Sequence, residues 1–251
     1  MTLNDLVSVL DSHAPFSTAL SFDNAGILCG DPEREIRKVL LSLDITYSVI
    51  DDAERLGADL ILTHHPALFS PQKTFSPADR VYRLIEKGIA AVAAHTNLDA
   101  AQGGVNDVLA SIAGLESVTL FEGDPDGIAR TGVLPAPRPL TEYAARIKAD
   151  LSAKNLRIAD GGRPVSRVVL CGGSGGDLWE SMAGTDCDTL LTGEAKYHHF
   201  LEAAQAGINI IEAGHYATEA PVLPVLERWL KQADPALIVI YSAFTDPVGS
   251  V

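Results

Sequence analysis

Short apolar runs separated by polar stretches divide this chain into alternating strands and helices. Runs rich in Val, Ile, Leu and Ala predict strands at 39–43, 60–63, 90–94, 168–171, 189–192, 209–211 and 237–241. Apolar positions that recur every three or four residues predict helices at 45–56, 78–87, 143–151, 198–206 and 219–232, and an N-terminal helix capped by Thr2 or Asn4. Because the strands are apolar throughout, we expect an α/β protein with mixed or mostly parallel sheets.

The same pattern occurs twice along the chain at a fixed spacing. R-K-V-L-L-S-L-D at 37–44 aligns with S-R-V-V-L-C-G-G at 166–173, and the same offset aligns 59–63 with 188–192. After ten extra residues in the first copy, 87–97 aligns with 206–216. Chance similarity between apolar strands is the alternative explanation, but the agreement of element order, spacing and loop position favours a duplication.

Turn-forming residues are concentrated between the two copies, in E-G-D-P-D-G and P-A-P-R-P at 122–139. We therefore predict a first α/β repeat at 1–125, a connection at 126–165 and a second α/β repeat at 166–251. The two duplicated halves are expected to be intertwined in one unit.

Charge and composition restrict the class of protein. The 33 acidic residues outnumber the 19 basic ones, giving a formal net charge of −14, and no dense basic cluster is present, which disfavours nucleic acid as a partner. No apolar run is long enough to span a bilayer, and the N-terminus lacks the features of a secretion signal. Three widely spaced cysteines suit a reducing compartment, so a cytoplasmic protein without a membrane partner is expected.

Potential metal ligands follow the predicted strands in three polar clusters. His64 and His65 lie in L-T-H-H-P, Asp99 in H-T-N-L-D-A, and His215 and Glu219 in G-H-Y-A-T-E. Imidazoles and carboxylates bind divalent cations, and ligand sites in α/β sheets form at the carboxyl ends of strands. The predicted metal site lies between the two halves.

Each cluster also has a structural explanation. Adjacent histidines can cap backbone groups, Asp99 can cap a turn, and Glu219 can stabilise the N-terminus of its own helix. Taken together, however, three imidazoles and two carboxylates supply enough donors for two ions if one carboxylate bridges them. Paired cations activate water and stabilise developing negative charge, which predicts metal-assisted hydrolysis.

The glycine-rich run C-G-G-S-G-G at 171–176 follows a predicted strand and precedes a helical stretch. It matches neither the Walker A loop nor the dinucleotide-binding fingerprint. A tight strand-to-helix turn and an anion-binding loop both remain open interpretations. On the second interpretation Gly173, Ser174 and Lys196 are candidate substrate-binding residues.

Five motifs carry a resemblance to a known family. They are F-D-N-A-G-I-L-C-G, L-I-L-T-H-H-P, A-A-H-T-N-L-D-A, T-G-E-A-K-Y-H-H and I-I-E-A-G-H-Y-A-T-E. In this order they resemble the Nif-three-like family, whose bacterial members are widely labelled GTP cyclohydrolase I type 2 homologs. One departure is visible, because Phe22 stands where the family usually has Trp and Ile27 where it has Leu.

The resemblance implies a dinuclear site with Glu219 and Asp99 shared or bridging. The implied ligands are His64, His65, Asp99, His215 and Glu219. It also implies a duplicated α/β fold, and a toroidal homohexamer whose metal sites face an internal cavity. Two divalent ions per chain are expected, with Zn, Fe, Mn and Ni all compatible with these donors.

The sequence thus predicts a dinuclear metal-dependent hydrolase that acts on a nucleotide or a related small phosphorylated heterocycle. The alternative is a metal-binding regulatory or scaffold hexamer without robust catalysis. Candidate catalytic residues are His95, Glu194 and His198, and Asp23 joins the candidate substrate-binding residues. For His95, an orienting role is favoured over direct catalysis.

Overall fold

The computed structural model describes residues 1–249, which fold into two compact units. The first unit contains Met1–Gln102 and Leu223–Thr245, and the second contains Gly103–Val222 and residues 246–249. Residues 1–249 therefore cross from the first unit to the second, return to the first for one helix and one strand, and cross to the second again at Asp246. Each unit is therefore assembled from two separate stretches of the chain.

The elements alternate as the apolar pattern predicts. The strands are β1 Gly26–Cys29, β2 Lys38–Ser42, β3 Leu60–Thr63, β4 Ala90–Ala93, β5 Glu116–Leu120, β6 Arg130–Arg138, β7 Arg157–Ala159, β8 Val165–Cys171, β9 Thr189–Thr192, β10 Asn209–Glu212 and β11 Ile238–Tyr241. The helices are α1 Leu3–His13, α2 Tyr47–Leu56, α3 Arg80–Glu86, α4 Thr96–Ala100, α5 Val105–Ile112, α6 Leu140–Asp150, α7 Trp179–Met182, α8 Tyr197–Gln205, α9 His215–Glu219 and α10 Leu223–Ala233. All seven predicted strands are present.

The first unit is built on a five-stranded sheet with the order β1-β4-β3-β2-β11. Strands β11, β2, β3 and β4 are parallel, and β1 is antiparallel to β4 at one edge. Side chains from β2, β3 and β4, including Leu40, Ile61 and Ala91, form one core with α2 and α3. Helix α2 begins at its Thr46 cap and ends at Gly57, whose positive φ of 63° suits glycine.

The second unit contains a six-stranded sheet with the order β5-β6-β8-β9-β10-β7. Strands β8, β9 and β10 are parallel, while β7 and β6 are antiparallel to their neighbours at either side. Tyr143 on α6 is fully buried, and its hydroxyl donates to the carbonyl of Ala113, which joins α6 to the end of α5. The mixed sheets agree with the predicted fold class.

The duplication is visible in strand register and in hydrogen bonds. Val39 pairs with Leu60 in the first unit, and Val168 pairs with Thr189 at the equivalent positions of the second. Near the start of β2, Oδ2 of Asp59 accepts the amides of residues 37 and 38 at 2.9 and 3.0 Å. Oδ2 of Asp188 accepts those of residues 166 and 167 at 3.0 and 2.9 Å. The same carboxylate clamp therefore closes both copies.

Residues 126–165 do more than connect the two repeats, which is a correction to the sequence analysis. They carry β6, α6 and β7, and β7 borders β10 as β1 borders β4. Strand β6 was not predicted because its prolines, Pro135 and Pro137, indicate a turn. Strand β6 accommodates them where its pairing with β8 shifts register between Val133 and Arg138. The compact units are defined by packing and not by the repeat. The repeat boundaries at 125 and 166 therefore stay a prediction.

The predicted helix at 219–232 is divided in the structure. Helix α9 ends at Glu219, a short 3₁₀ turn covers Ala220–Val222, and α10 begins at Leu223. Pro221 lies in this turn, and a proline has no amide hydrogen to continue a helix. Of the helices formed by residues 1–249, none combines the length and the apolar character that crossing a membrane requires.

Candidate metal centre

The first ligand cluster lies at the carboxyl ends of adjacent parallel strands in the first unit. His64 and His65 directly follow β3, His95 follows β4 after one residue, and Asp99 lies on α4. Because β3 and β4 are parallel neighbours, their carboxyl ends meet at one edge of the sheet. The strand pattern therefore brings these four side chains together, as the sequence predicts for three of them.

The three imidazoles of this cluster are in mutual contact. Their ring centroids are 4.9 Å apart for His64 and His65, 5.1 Å for His64 and His95, and 5.6 Å for His65 and His95. One ring nitrogen from each residue lies within 4.8 Å of those of the other two, close enough for a shared metal ion. Oδ1 of Asp99 is 3.6 Å from Nε2 of the fully buried His64.

An oxygen atom holds the Nδ1 side of each of these rings. Nδ1 of His64 is 2.9 Å from the carbonyl of Ala94, and Nδ1 of His65 is 2.9 Å from Oδ1 of Asp44. Nδ1 of His95 is 2.8 Å from Oδ1 of Asp23. Carbonyl and carboxylate oxygens only accept hydrogen bonds, so Nδ1 carries the proton and a neutral ring has its lone pair on Nε2.

Asp23 is bound firmly enough to stay ionised. Burial opposes its charge, but hydrogen bonds from His95 and Thr96 outweigh that effect and hold the pKa of this carboxyl well below its usual range. The amide of Thr96 donates to Oδ2 at 3.0 Å, and its hydroxyl donates to the same oxygen. Asp23, a predicted substrate-binding residue, therefore contacts His95 and fixes its orientation.

The second ligand cluster lies on the short helix α9 of the second unit. His215 and Glu219 are its first and last residues, and Nε2 of His215 is 3.1 Å from Oε2 of Glu219. Nδ1 of His215 is 3.0 Å from Oε1 of Glu194, which follows β9 after one residue. Glu219 is only 4% exposed, whereas His215 and Glu194 are more open to solvent.

The backbone of Gly173 lies very close to the side chains of the second cluster. Its φ is +61°, and a Cβ atom at this position would overlap Oε1 of Glu219 and lie 3.1 Å from Nε2 of His215. The backbone therefore passes directly against the two predicted ligands, where only glycine fits without displacing them.

The other contacts of the glycine-rich run favour the tight-turn interpretation. The amides of Gly172, Gly173 and Gly175 donate to side-chain oxygens of Asn106, Thr218 and Thr192 at 2.8 to 3.1 Å. These protein contacts use the amide hydrogens that an anion would need. Ser174 and Lys196 are both exposed, and both border a cavity beside Glu194.

The two histidines after Lys196 differ in exposure. His198, a predicted catalytic candidate, is exposed, and its ring packs edge-on against His199 at 4.4 Å. His199 is only 7% exposed, and burial together with the nearby His198 lowers its pKa. Its Nδ1 accepts a hydrogen bond from the amide of Lys196 at 3.3 Å. This contact gives His199 a structural role at the start of α8.

Sequence reasoning missed Asp44, which holds His65. The available signal was its position, because Asp44 comes two residues after β2, a parallel neighbour of β3. A carboxylate at that place meets the loop that carries His65. The repeat alignment did not reveal it, since the equivalent position in the second copy is Gly173.

The donor sets fit a borderline divalent cation such as zinc or iron. Imidazole nitrogens with oxygen-backed Nδ1 atoms are typical of metal-binding histidines, and carboxylates complete the sets. Burial raises the pKa of Cys29 to about 11, so its sulfur stays protonated and is a poor ligand.

Known proteins resemble this chain in both sequence and fold. A protein of Clostridium perfringens named GTP cyclohydrolase 1 type 2 homolog is 35% identical over 241 residues, which cover 92% of each chain. Staphylococcus aureus hypothetical protein SA1388 superposes with a TM-score of 0.90 at 27% identity, covering 100% of this chain and 99% of that one. TTHA1606 of Thermus thermophilus superposes with a TM-score of 0.84 at 28% identity, covering 99% of this chain and 100% of that one. Residues 1–247 match the family Duf34/NIF3 (NGG1p interacting factor 3), and the chain belongs to this family.

Proposed function

We propose that this protein is a hydrolase that depends on two divalent metal ions and acts on a nucleotide or a related small phosphorylated heterocycle. The proposed ligands are His64, His65 and Asp99 in the first unit and His215 and Glu219 in the second. The relatives named GTP cyclohydrolase 1 type 2 homolog support a nucleotide-like substrate. Hydrolytic ring opening and phosphoester hydrolysis are the two reactions to test.

One observation carries this proposal. All three proposed histidine ligands, and His95 of the first cluster, have an oxygen acceptor at Nδ1. This common arrangement directs the lone pair of each neutral ring to Nε2, where a metal ion binds. A single histidine with an oxygen acceptor at Nδ1 is common in proteins. Four such histidines in two clusters at strand ends support metal binding.

The chain's own residues have distinct roles in this proposal. Asp44 and the carbonyl of Ala94 keep the His65 and His64 rings in their ligand orientation, and Glu194 does the same for His215. Bound divalent ions would activate water and stabilise negative charge that develops during hydrolysis.

His95 acts as a positioning residue next to the ligands. Asp23 holds its Nδ1–H, so the His95 ring keeps a fixed orientation against His64 and His65. Lys196 and Ser174 remain proposed contacts for a substrate phosphate, and Glu194 and His198 remain candidates for proton transfer. The proposal for Gly173 changes from substrate contact to backbone support of Glu219.

The proposed assembly is a toroidal homohexamer in the cytoplasm. Light scattering of the purified protein tests the assembly, since a hexamer has six times the chain mass of 26.6 kDa. A monomer at all concentrations would contradict it.

Metal content and turnover together test the proposed function. Elemental analysis should show two divalent ions per chain, and the metal-loaded protein should hydrolyse a member of a panel of nucleotides and phosphoesters. Glu219→Gln should lose metal and reduce turnover at least a hundredfold, because an amide is a weaker and uncharged ligand. Glu202→Gln, on the exposed face of α8, is the matched control and should leave both unchanged.

Two results would change the conclusion. Turnover that survives Glu219→Gln would exclude this residue from the mechanism. Stoichiometric metal binding without turnover on any substrate of the panel would instead favour the regulatory or scaffold alternative.

A further inference from the structure

Phe22 is exposed on a backbone turn that is itself held firmly in place. The amide of Asp23 donates to the carbonyl of Leu20 at 2.9 Å and closes the turn, and the amide of Leu20 donates to Oγ1 of Thr96 at 2.9 Å. The carboxylate of Asp23 is buried against His95, yet the Phe22 side chain is 64% exposed. The turn therefore presents a large aromatic ring to solvent at a fixed place beside the first cluster.

Phe69 lies on a second loop that is attached to the same turn. Nδ2 of Asn24 donates to the carbonyl of Leu68 at 2.6 Å, which joins the residues next to Phe22 and Phe69. The Phe69 ring contacts His95 with a centroid distance of 5.5 Å and an interplanar angle of 73°. This edge-to-face contact leaves ring surface uncovered, and the side chain is 48% exposed.

The surroundings of the two rings indicate ligand recognition. Phe22 precedes Asp23 in the chain, and the side chain of Asp23 holds His95. Phe69 contacts the same imidazole directly. By contrast Tyr47, also exposed in this unit, has an Arg83 guanidinium over its ring at 4.8 Å and donates its hydroxyl to Ala78. Phe22 and Phe69 thus leave apolar ring surface in water at the edge of the polar cluster.

We propose that Phe22 and Phe69 form a stacking surface for a planar heteroaromatic ring of the substrate, next to His95. This assignment rests on the proposed function and specifies which part of the substrate the first unit recognises. Planar rings stack on aromatic side chains regardless of their hydrogen-bond pattern, so this surface selects for a ring and not for one base. Ring-free phosphorylated compounds gain nothing from it.

The test uses Phe22→Trp, which keeps an aromatic ring and adds a fluorescent reporter. Titration of the metal-loaded, full-length variant with GTP, ATP and UTP should give saturable quenching with at least one of them. Inorganic triphosphate and ribose 5-phosphate, which lack a heteroaromatic ring, should give none. Wild-type protein supplies the background from Trp179 and Trp229.

A second substitution measures the contribution of Phe69. In the Phe22→Trp background, Phe69→Ala and Phe69→Leu should each weaken nucleotide binding about tenfold, whereas Phe69→Tyr should stay within about twofold. Ile85→Ala removes a 63% exposed apolar side chain from α3 and should change nothing. The leucine variant separates the aromatic ring from simple apolar area.

Three results would overturn the assignment. They are equal quenching by the two compounds that lack a heteroaromatic ring, binding that is unaffected by loss of the Phe69 ring, and absence of quenching by all three nucleotides. A change in oligomeric state in Phe22→Ala without a change in nucleotide affinity would show that a second copy covers this surface instead. Because binding is measured without turnover, an inactive protein that still shows ring-dependent quenching would refute the hydrolase and retain the stacking surface.

Discussion

The two ligand clusters occupy equivalent positions in the two repeats but distribute their side chains differently. After β3 the first copy has His64 and His65, and after β9 the second has Gly193 and Glu194. In the first cluster the carboxylate that holds His65 comes from the loop after β2, where Asp44 lies. In the second it comes from the β9 loop, where Glu194 contacts His215.

This difference shows what a duplicated fold conserves and what it leaves open. Both copies keep the parallel strands, their register and the carboxylate clamp of Asp59 or Asp188. The positions at the strand ends carry the chemistry and have diverged, so that Asp44 corresponds to Gly173. The fold determines where along the sheet edge the ligands lie. Which residues occupy those positions can differ from loop to loop.

Gly173→Ala should have the largest effect and should damage the second cluster alone. The new Cβ would overlap the Glu219 carboxylate, so we expect more than a hundredfold loss of metal affinity there and a loss of stability of about 2 to 4 kcal/mol. Elemental analysis and thermal unfolding measure both effects. Gly127→Ala is the matched control, because Gly127 also has a positive φ of 68° but no atom within 4 Å of a Cβ position. Equal effects in the two variants would refute the close-approach explanation.

The carboxylate clamps should differ in strength between the copies. Asp188 is 3% exposed and Asp59 has 26% of its side chain exposed, so water replaces the lost hydrogen bonds more easily at Asp59. We expect Asp188→Ala to cost about 3 kcal/mol of unfolding free energy and Asp59→Ala about 1 kcal/mol. Denaturant unfolding measures the difference, and a larger loss for Asp59→Ala would contradict the argument from burial.

The residues that hold the imidazoles should show a smaller difference between the clusters. Asp44→Ala should weaken metal binding about 10- to 100-fold because His65 loses its orientation. Glu194→Ala should weaken it less, about tenfold, since Glu194 is 57% exposed and solvent can replace it at His215. Competition with a metal-sensitive dye gives both affinities. Asp52→Ala, which removes a surface partner of Arg55, should leave them unchanged.

The last expected effect depends on pH and concerns the first unit. The pKa of Asp23 is lowered in the folded protein, so its stabilising contribution is present above its unfolded pKa of about 3.9 and is lost as pH falls through the folded value. Asp23→Asn should therefore cost about 1 to 2 kcal/mol at pH 6, with a difference from wild type that shrinks below about pH 4. Unfolding measured from pH 6 to 2 shows this trend, and a constant difference over that range would contradict it.

Local patterns predicted the parts of the fold that depend on continuous apolar runs. The buried strands β3 and β9 were located to the residue, because both faces are covered and every position is apolar or Thr. Strands β1, β5, β6 and β7 were not predicted. All five residues of β5 are exposed, and the prolines of β6 resemble a turn.

The site divides in the same way. His64, His65, Asp99, His215 and Glu219 could be selected because they are metal-binding residue types at strand ends in ordered motifs. Asp44 and the close approach of Gly173 could not, since each depends on another loop that lies far away in the sequence.

The sequence alone determined the α/β class, the duplication, the family resemblance and the candidate ligands, because periodicity, internal repetition and motif order are properties of the linear chain. Tertiary structure decided which helix completes which unit, which oxygen holds each imidazole, and which aromatic rings stay exposed at the first cluster. These are contacts between residues distant in the chain, such as Asp23 with His95 and Gly173 with Glu219. Only packing selects them from the many pairings that one sequence allows.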